Sequence, residues 1–197
     1  MRKQSYQVII VGAGMAGLML AYLLARDKRE VLLIEHKCPD VVKQVEQLPT
    51  RVSALNANIV KLLQQLNLWD EFHQNACAPL RSLRVWDDAG GGEMHFDSAD
   101  IACQNLGHIV TNQECVRVLL AAVNASETVT FACPEKVLSV DVQPSVARVT
   151  TDKGEYSADL LVGADGAHSW LREQLPLLVR THAYQQQALV QVVESEQ

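Results

Sequence analysis

An α/β fold with a buried parallel sheet is what this sequence predicts, and three stretches predict it. Val8 to Val11 is an unbroken run of β-forming apolar residues leading into Gly12-Ala13-Gly14-Met15-Ala16-Gly17. Val31 to Ile34 is a second such run, closed by Glu35. Near the other end, Leu160 to Val162 runs into Gly163-Ala164-Asp165-Gly166. Short continuous apolar runs of this kind mark strands covered on both faces, the usual state of parallel strands between helices.

The first helix is expected to open at the glycines and reach about Arg26, giving a strand-helix-strand unit with Val31 to Ile34. Residues 8–25 also run uncharged for 18 positions after Arg2 and Lys3, which a hydropathy window reads as a signal peptide or a marginal membrane span. Three glycines within the first ten of those residues, and the second apolar run just beyond, favour the βαβ unit. Val52, Leu55, Ile59, Leu62, Leu63 and Leu66 recur at helical spacing and predict a helix over about 53–68. Asn67 near its end tolerates the left-handed conformation that closes helices.

Ser82 to Asp87 and Glu93 to Asp97 read as strands of a hairpin joined through Gly90-Gly91-Gly92. Thr111 precedes another helix with Val116, Leu119, Leu120 and Val123 as its apolar positions, and Thr111 with Glu114 has the spacing of a capping box. Residues 129–162 read as several short strands turned at Pro144-Ser145 and Asp152-Lys153-Gly154. The tail, Ala188 to Val193, reads as one more apolar strand.

Composition narrows the function. The chain has 197 residues, 48% of them hydrophobic, enough for a core-bearing domain. A net charge of -6 and the lack of any Lys/Arg run argue against a nucleic-acid partner. Cys38, Cys77, Cys103, Cys115 and Cys133 are scattered and form no CxxC or Cys/His cluster, so neither a metal site nor a disulfide framework is expected. A reducing cytoplasm fits that usage.

The G-x-G-x-x-G turn carries the first chemistry. Gly12 makes the tight turn, Gly14 lets backbone approach a pyrophosphate, and Gly17 lets helix and strand pack closely; Ala16 inside the turn counts with them. The helix N-terminus then offers unpaired N–H groups and a positive dipole to phosphate. Glu35 stands where an acid hydrogen-bonds a ribose 2′-hydroxyl, and its charge would repel a 2′-phosphate. FAD or NAD is therefore expected in preference to NADP.

The two glycine motifs together resemble those of the flavoprotein aromatic hydroxylases, the class A flavin monooxygenases of the para-hydroxybenzoate hydroxylase fold. Ala158 to Ser169 with Arg172 is similar to their second, Asp-Gly motif. Within that class, Arg51-Val52-Ser53-Ala54-Leu55 followed by Leu66-Asn67-Leu68-Trp69-Asp70 resembles the ubiquinone-biosynthesis hydroxylases, as do Leu106 to Asn112 and Tyr184 to Val193. The resemblance extends over essentially the whole chain. It implies a Rossmann-like FAD-binding domain over residues 1–180, with 79–107 reaching toward a substrate domain whose incomplete sheet starts at 181–197.

Carried over position by position, the resemblance implies that Gly12, Gly14, Ala16, Gly17 and Glu35 hold the ADP half of FAD. It puts Arg51 on the flavin side, Asn112 close to the flavin at a helix start, and Asp165 toward the phosphates or ribityl chain, with Gly166 permitting the contact. From the residues alone, Asp165 also reads as a helix-start carboxylate, Arg51 as a solvated surface arginine and Asn112 as a plain cap. The implied activity is hydroxylation of a polyprenyl phenol or quinol ring with NAD(P)H and oxygen, with no catalytic residue assigned. The implied partners are that polyprenylated substrate, the inner membrane touched peripherally through it, and a second copy or other ubiquinone-pathway proteins. Two other classes stay open: a catalytically silent flavin-binding module, and a flavin- or NAD-dependent oxidoreductase of related fold that would need the finger but no Gly-Ala-Asp-Gly element.

The sequence departs from the family in places. Asn67 stands where glycine is usual, and His108 and Thr111 replace a tyrosine and a glutamate. Family members continue into a third, Gly-Asp motif that this chain does not contain. The chain is therefore expected to be a fragment or a shortened relative, binding FAD weakly, associating with itself and hydroxylating nothing alone.

Overall fold

A computed structural model describes residues 4–39, 51–87 and 90–193. In chain order the elements are β1 (Ser5–Val11), α1 (Met15–Arg26), β2 (Val31–Ile34), β3 (Val52–Asn56), α2 (Ala57–Gln65), β4 (Cys77–Leu80), β5 (Ser82–Trp86), β6 (Glu93–Asp97), β7 (Gly107–Thr111) and α3 (Asn112–Asn124). After them come β8 (Val129–Ala132), β9 (Val137–Gln143), β10 (Val146–Thr151), β11 (Glu155–Gly163) and α4 (Trp170–Glu173). They fall into two compact units, residues 1–41 with 119–189 and residues 42–118 with 190–197.

The first unit is built on a six-stranded sheet in the order β8-β2-β1-β11-β10-β9. The four strands from β8 to β11 run parallel, while β10 and β9 return antiparallel. The apolar runs read from the sequence are its centre. Ile9, Ile10, Val31, Leu32 and Leu33 are wholly buried, as strands sandwiched on both faces must be. Ile9, Leu32, Ile34, Val149, Tyr156 and Leu171 join one hydrophobic cluster. Residues 8–25 are accordingly divided between a strand and a 12-residue helix, and among the described residues no helix is long and apolar enough to cross a membrane.

The chain leaves β1 toward β2 on one side, and β11 returns on the other. The order therefore reverses between β1 and β11, the place where open parallel sheets form a crevice beyond their carboxyl ends.

The second unit holds a three-stranded sheet, β3-β7-β4, and the β5-β6 hairpin. Here the helix expected over 53–68 is corrected. Val52 to Asn56 is a strand, paired antiparallel with β7 from Val52↔Thr111 to Asn56↔Gly107. Only then does α2 begin, capped by the Asn56 carboxamide oxygen, which accepts the Ile59 N–H at 3.0 Å. Val52 and Leu55 matched a helical period by accident of spacing; pairing with β7 overrode it, as tertiary context often does. The helix ends as expected, with Asn67 in the left-handed region at φ 56°.

In β5-β6, Leu83 faces Phe96 and Val85 faces Met94 across the pair. One face is thus apolar, and those four side chains are exposed.

At the start of α3 the capping box is half made. Thr111 Oγ1 accepts the Glu114 N–H at 3.3 Å, but the Glu114 carboxylate turns elsewhere. It accepts the His73 N–H at 2.7 Å and a fork of bonds from Arg117 at 2.7 and 2.9 Å. Burial pushes this carboxyl up, yet the Arg117 and His73 hydrogen bonds outweigh it and hold it below the usual carboxylate range.

The tail is the second correction. Residues 176–193 carry neither helix nor strand, and Leu189 and Val193 are 91% and 78% exposed. An apolar strand needs a neighbour's hydrogen bonds and a face to bury, and no described strand offers these residues either. Residues 194–197 of the segment expected to start a second domain lie outside the described residues.

Candidate functional site

The crevice beyond β1, β2 and β11 is where the sequence motifs converge. Two backbone bonds extend the sheet past its last residues: Gly12 N–H donates to Ile34 O at 2.8 Å, and Ala164 N–H donates to Val11 O at 2.7 Å. The glycine finger and the Gly-Ala-Asp-Gly turn, some 150 residues apart in sequence, are thereby held side by side. A concavity of about 540 Å³ opens there, lined by Gly12, Gly14, Glu35, Asp165 and Gly166, together with Glu135 and others. That is the size range of small-molecule sites.

The three finger glycines differ in what requires them. Gly12 sits at φ +106°, and a Cβ on it would lie 2.3 Å from Ala164 O. A Cβ on Gly17 would lie 1.9 Å from Gly12 O. These two are demanded by the fold. Gly14 has φ -74° and ψ -177°, open to any residue, and a Cβ there would meet nothing within 4 Å. Among the described residues no atom crowds Gly14; a ligand lying against the turn would account for a glycine there.

Beside it, the N-terminus of α1 has no side-chain cap and no acidic residue in its first turn. Its first N–H groups therefore have no side-chain cap, and they start just after Gly14, which lines the crevice; a helix start left open in this way is suited to receive phosphate. Ala16 belongs to this first turn.

Glu35 does more than its sequence position implied. Its Oε2 accepts the Ala13 N–H at 2.7 Å, pinning the finger from the end of β2. Its Oε1 accepts the Lys37 N–H at 3.1 Å and stands 2.9 Å from His36 Nδ1. An ionised carboxylate has about four acceptor positions, so a ribose hydroxyl remains within its capacity.

Asp165 is engaged as well. Its Oδ1 accepts the Ser169 O–H at 2.5 Å, and its Oδ2 accepts the Leu171 N–H at 3.0 Å. Ser169 Oγ in turn accepts the Arg172 N–H at 3.0 Å. The carboxylate set between two glycines thus ties the turn to the start of α4 while lining the crevice. Gly166, at φ +89°, takes the left-handed step that turn needs.

Arg51 and Asn112 lie in the second unit. Asn112 N–H donates to Arg51 O at 3.0 Å, and Ser53 O–H donates to Asn112 Oδ1 at 2.6 Å. The two are neighbours where β3 begins and α3 starts, and the Arg51 side chain is exposed.

Sequence reasoning missed Glu135 and the cysteine pairing. Glu135 is 1% exposed, lines the crevice and accepts the Thr151 O–H at 2.7 Å. It lies just past β8, the third parallel strand, and the rule that ligands gather beyond strand ends could have found it. The absence of a disulfide framework is corrected at one point. Cys38 and Cys133 are joined, with Cα atoms 5.6 Å apart across 95 residues of sequence. Spacing hides such a pair, because only the β2-β8 pairing brings the two strand ends together.

Comparison with known proteins gives a consistent result. A family model described as an FAD binding domain matches residues 5–196. The 3-demethoxyubiquinol 3-hydroxylase of Escherichia coli is 32% identical over the whole chain, which covers 50% of that relative. The ubiquinone hydroxylase UbiM of Neisseria meningitidis is 30% identical over 90% of the chain and 39% of its own length. The chain thus spans about half or less of these curated relatives. Among solved structures, PqsL of Pseudomonas aeruginosa, a probable FAD-dependent monooxygenase, superposes with a TM-score of 0.69 at 21% identity, over 91% of this chain and 48% of that one. At that identity it shows the fold.

Proposed function

The chain belongs to the FAD binding domain family, and from that premise we propose that it forms the FAD-holding part of a monooxygenase. The reaction is hydroxylation of the ring of a polyprenyl phenol or quinol in ubiquinone biosynthesis, driven by NAD(P)H and oxygen. The observation that carries the cofactor reading is Gly14, bare where the protein has no need of a glycine, beside an uncapped helix N-terminus. The curated relatives' names support the substrate class. When bound, FAD supplies the redox and oxygen chemistry that side chains lack.

The residues present fit the ADP half of the cofactor. Gly12, Gly14, Ala16 and Gly17 put the backbone of the finger and the first N–H groups of α1 against the pyrophosphate. Glu35 takes a ribose hydroxyl while holding Ala13 in place. Gly166 keeps the turn after β11 low enough for the cofactor to pass, and Asp165 fixes that turn. In the second unit, Arg51 and Asn112 serve the flavin side. The apolar face of β5-β6 supports reading 79–107 as the part that reaches toward substrate.

The test uses the whole protein that carries this chain, loaded with FAD and given NADH or NADPH, labelled dioxygen and a demethoxy-type quinol. Product one oxygen atom heavier, carrying the label, is the expected result. NAD(P)H consumption unchanged by the ring substrate, with no labelled product, would replace the proposal by a flavin reductase or a silent module.

A second measurement addresses Glu35. Truncation to alanine removes a charge-assisted ribose bond of ~1.5–3 kcal/mol, and FAD affinity falls roughly ten- to a hundredfold. Glu35→Gln keeps oxygen and shape and should lose less. A titration in which Glu35→Ala binds within twofold of the parent makes Glu35 an anchor for the finger alone.

A further inference from the structure

We propose that Cys38 and Cys133 form a thiol–disulfide modification site that sets the affinity of the adjoining crevice for FAD, tighter when cross-linked and weaker when reduced. This rests on the reading of that crevice as the FAD site. Cys38 lies three residues beyond Glu35, and Cys133 lies two residues before Glu135, both of which line the crevice. Their Cα separation of 5.6 Å is within the range a disulfide spans without backbone movement. Backbone bonds already lay the two segments together: Glu35 N–H donates to Ala132 O at 2.9 Å, and Glu135 N–H donates to Glu35 O at 2.8 Å.

The cross-link acts on the three residues after Glu35. His36, Lys37 and Cys38 are exposed, so packing does little to fix them. Both oxygens of Glu35 are in use locally, one on the finger at Ala13 N–H and one on Lys37 N–H. Tying Cys38 to the end of β8 fixes the Lys37 contact, and with it the rotamer of Glu35 that pins the finger. Holding a binding group in its bound geometry raises affinity by removing the ordering cost from the binding step.

The chemistry is ordinary exchange. Cys38 is exposed and Cys133 half-buried, so a small disulfide such as oxidised glutathione can reach them. The Cys38 thiolate attacks it, one small thiol leaves, and a mixed disulfide remains. The Cys133 thiolate then attacks the Cys38 sulfur and expels the second small thiol. Two electrons and two protons pass from the cysteine pair to the reagent, which ends as two thiols.

The other cysteines are poorer candidates. Burial pushes the Cys115 thiol up to about 11 and raises Cys77 too, which leaves little thiolate. Exposed Cys103 serves as an unpaired control.

The experiment equilibrates the protein with defined mixtures of reduced and oxidised glutathione. Peptide mapping follows the Cys38–Cys133 cross-link, and FAD is titrated in each state. The dissociation constant should rise roughly three- to tenfold on reduction, the scale of freeing one or two side chains. Cys38→Ser should show the weaker value under all mixtures, and Cys103→Ser should respond like the parent. Absence of the cross-linked peptide under oxidising mixtures overturns the proposal, as does a change under twofold, and both leave the FAD reading standing. Binding by neither state overturns both.

Discussion

Gly14→Val abolishes FAD uptake and leaves the protein folded. The fold half of that expectation rests on two observations. Gly14 has extended backbone angles that a β-branched residue adopts readily, and its Cβ would enter open space. Removing glycine's freedom from the unfolded chain stabilises a protein by about 0.4–1 kcal/mol where the native angles allow it, while valine is a poorer N-cap for α1 than glycine by a similar amount, so the melting temperature should stay close to the parent's.

The binding half comes from the same open space. An isopropyl group there would fill the volume through which a pyrophosphate reaches the N–H groups at the start of α1. Hydrogen bonds to charged groups are worth about 1.5–3 kcal/mol each, and displacing the phosphates breaks more than one, so affinity drops by a factor of at least ~100. Flavin fluorescence titration measures the second effect and circular dichroism melting the first. Undiminished uptake in the variant would remove the finger from the site altogether.

How far the sequence foretold this site depends on whether a residue's partners are local. The finger was legible because its logic is contiguous: strand, turn, helix start and the acid ending the next strand all lie within residues 8–35. Its meeting with the Gly-Ala-Asp-Gly turn was not legible from spacing, since it depends on β1 and β11 pairing in register, with Val11 against Gly163. The resemblance supplied that link. Asp165 had two readings in the sequence; its bonds to Ser169 and Leu171 bear out the helix-start one, and its proximity to cofactor stays a proposal.

The errors share one cause. Val52 to Asn56 matched a helical period, and Ala188 to Val193 matched a strand, yet what settles either is the presence or absence of a pairing edge. β7 offers one to the first, and no described strand offers one to the second. The Cys38–Cys133 pair and Glu135 were hidden for the same reason, since both depend on β8 lying beside β2.

Gly17→Val is the counterpart of the Gly14 variant and should fail by the opposite route. Gly17 is a buried helical residue whose Cβ would lie 1.9 Å from Gly12 O and 3.3 Å from the Ala164 Cβ. The first of these is backbone and cannot swing aside. Room for the side chain comes only from lifting α1 off the sheet, which opens the contacts of buried Leu18 and Ala21. Overpacking of this kind costs about 1–3 kcal/mol and occasionally more, a large share of a total stability of roughly 5–15 kcal/mol. For a chain this size, each kcal/mol shifts the melting temperature by about 2–4 °C, so a fall of roughly 2–12 °C is expected, or loss of the cooperative transition. FAD affinity drops too, because the displaced helix carries its N–H groups away from the pyrophosphate. The pair of variants thus separates two jobs within six residues: at Gly14 binding is lost and stability kept, at Gly17 both go. A Gly17→Val protein that melts like the parent and loses only FAD would show that α1 tolerates the shift, and would put Gly17 with Gly14 among the glycines the ligand requires.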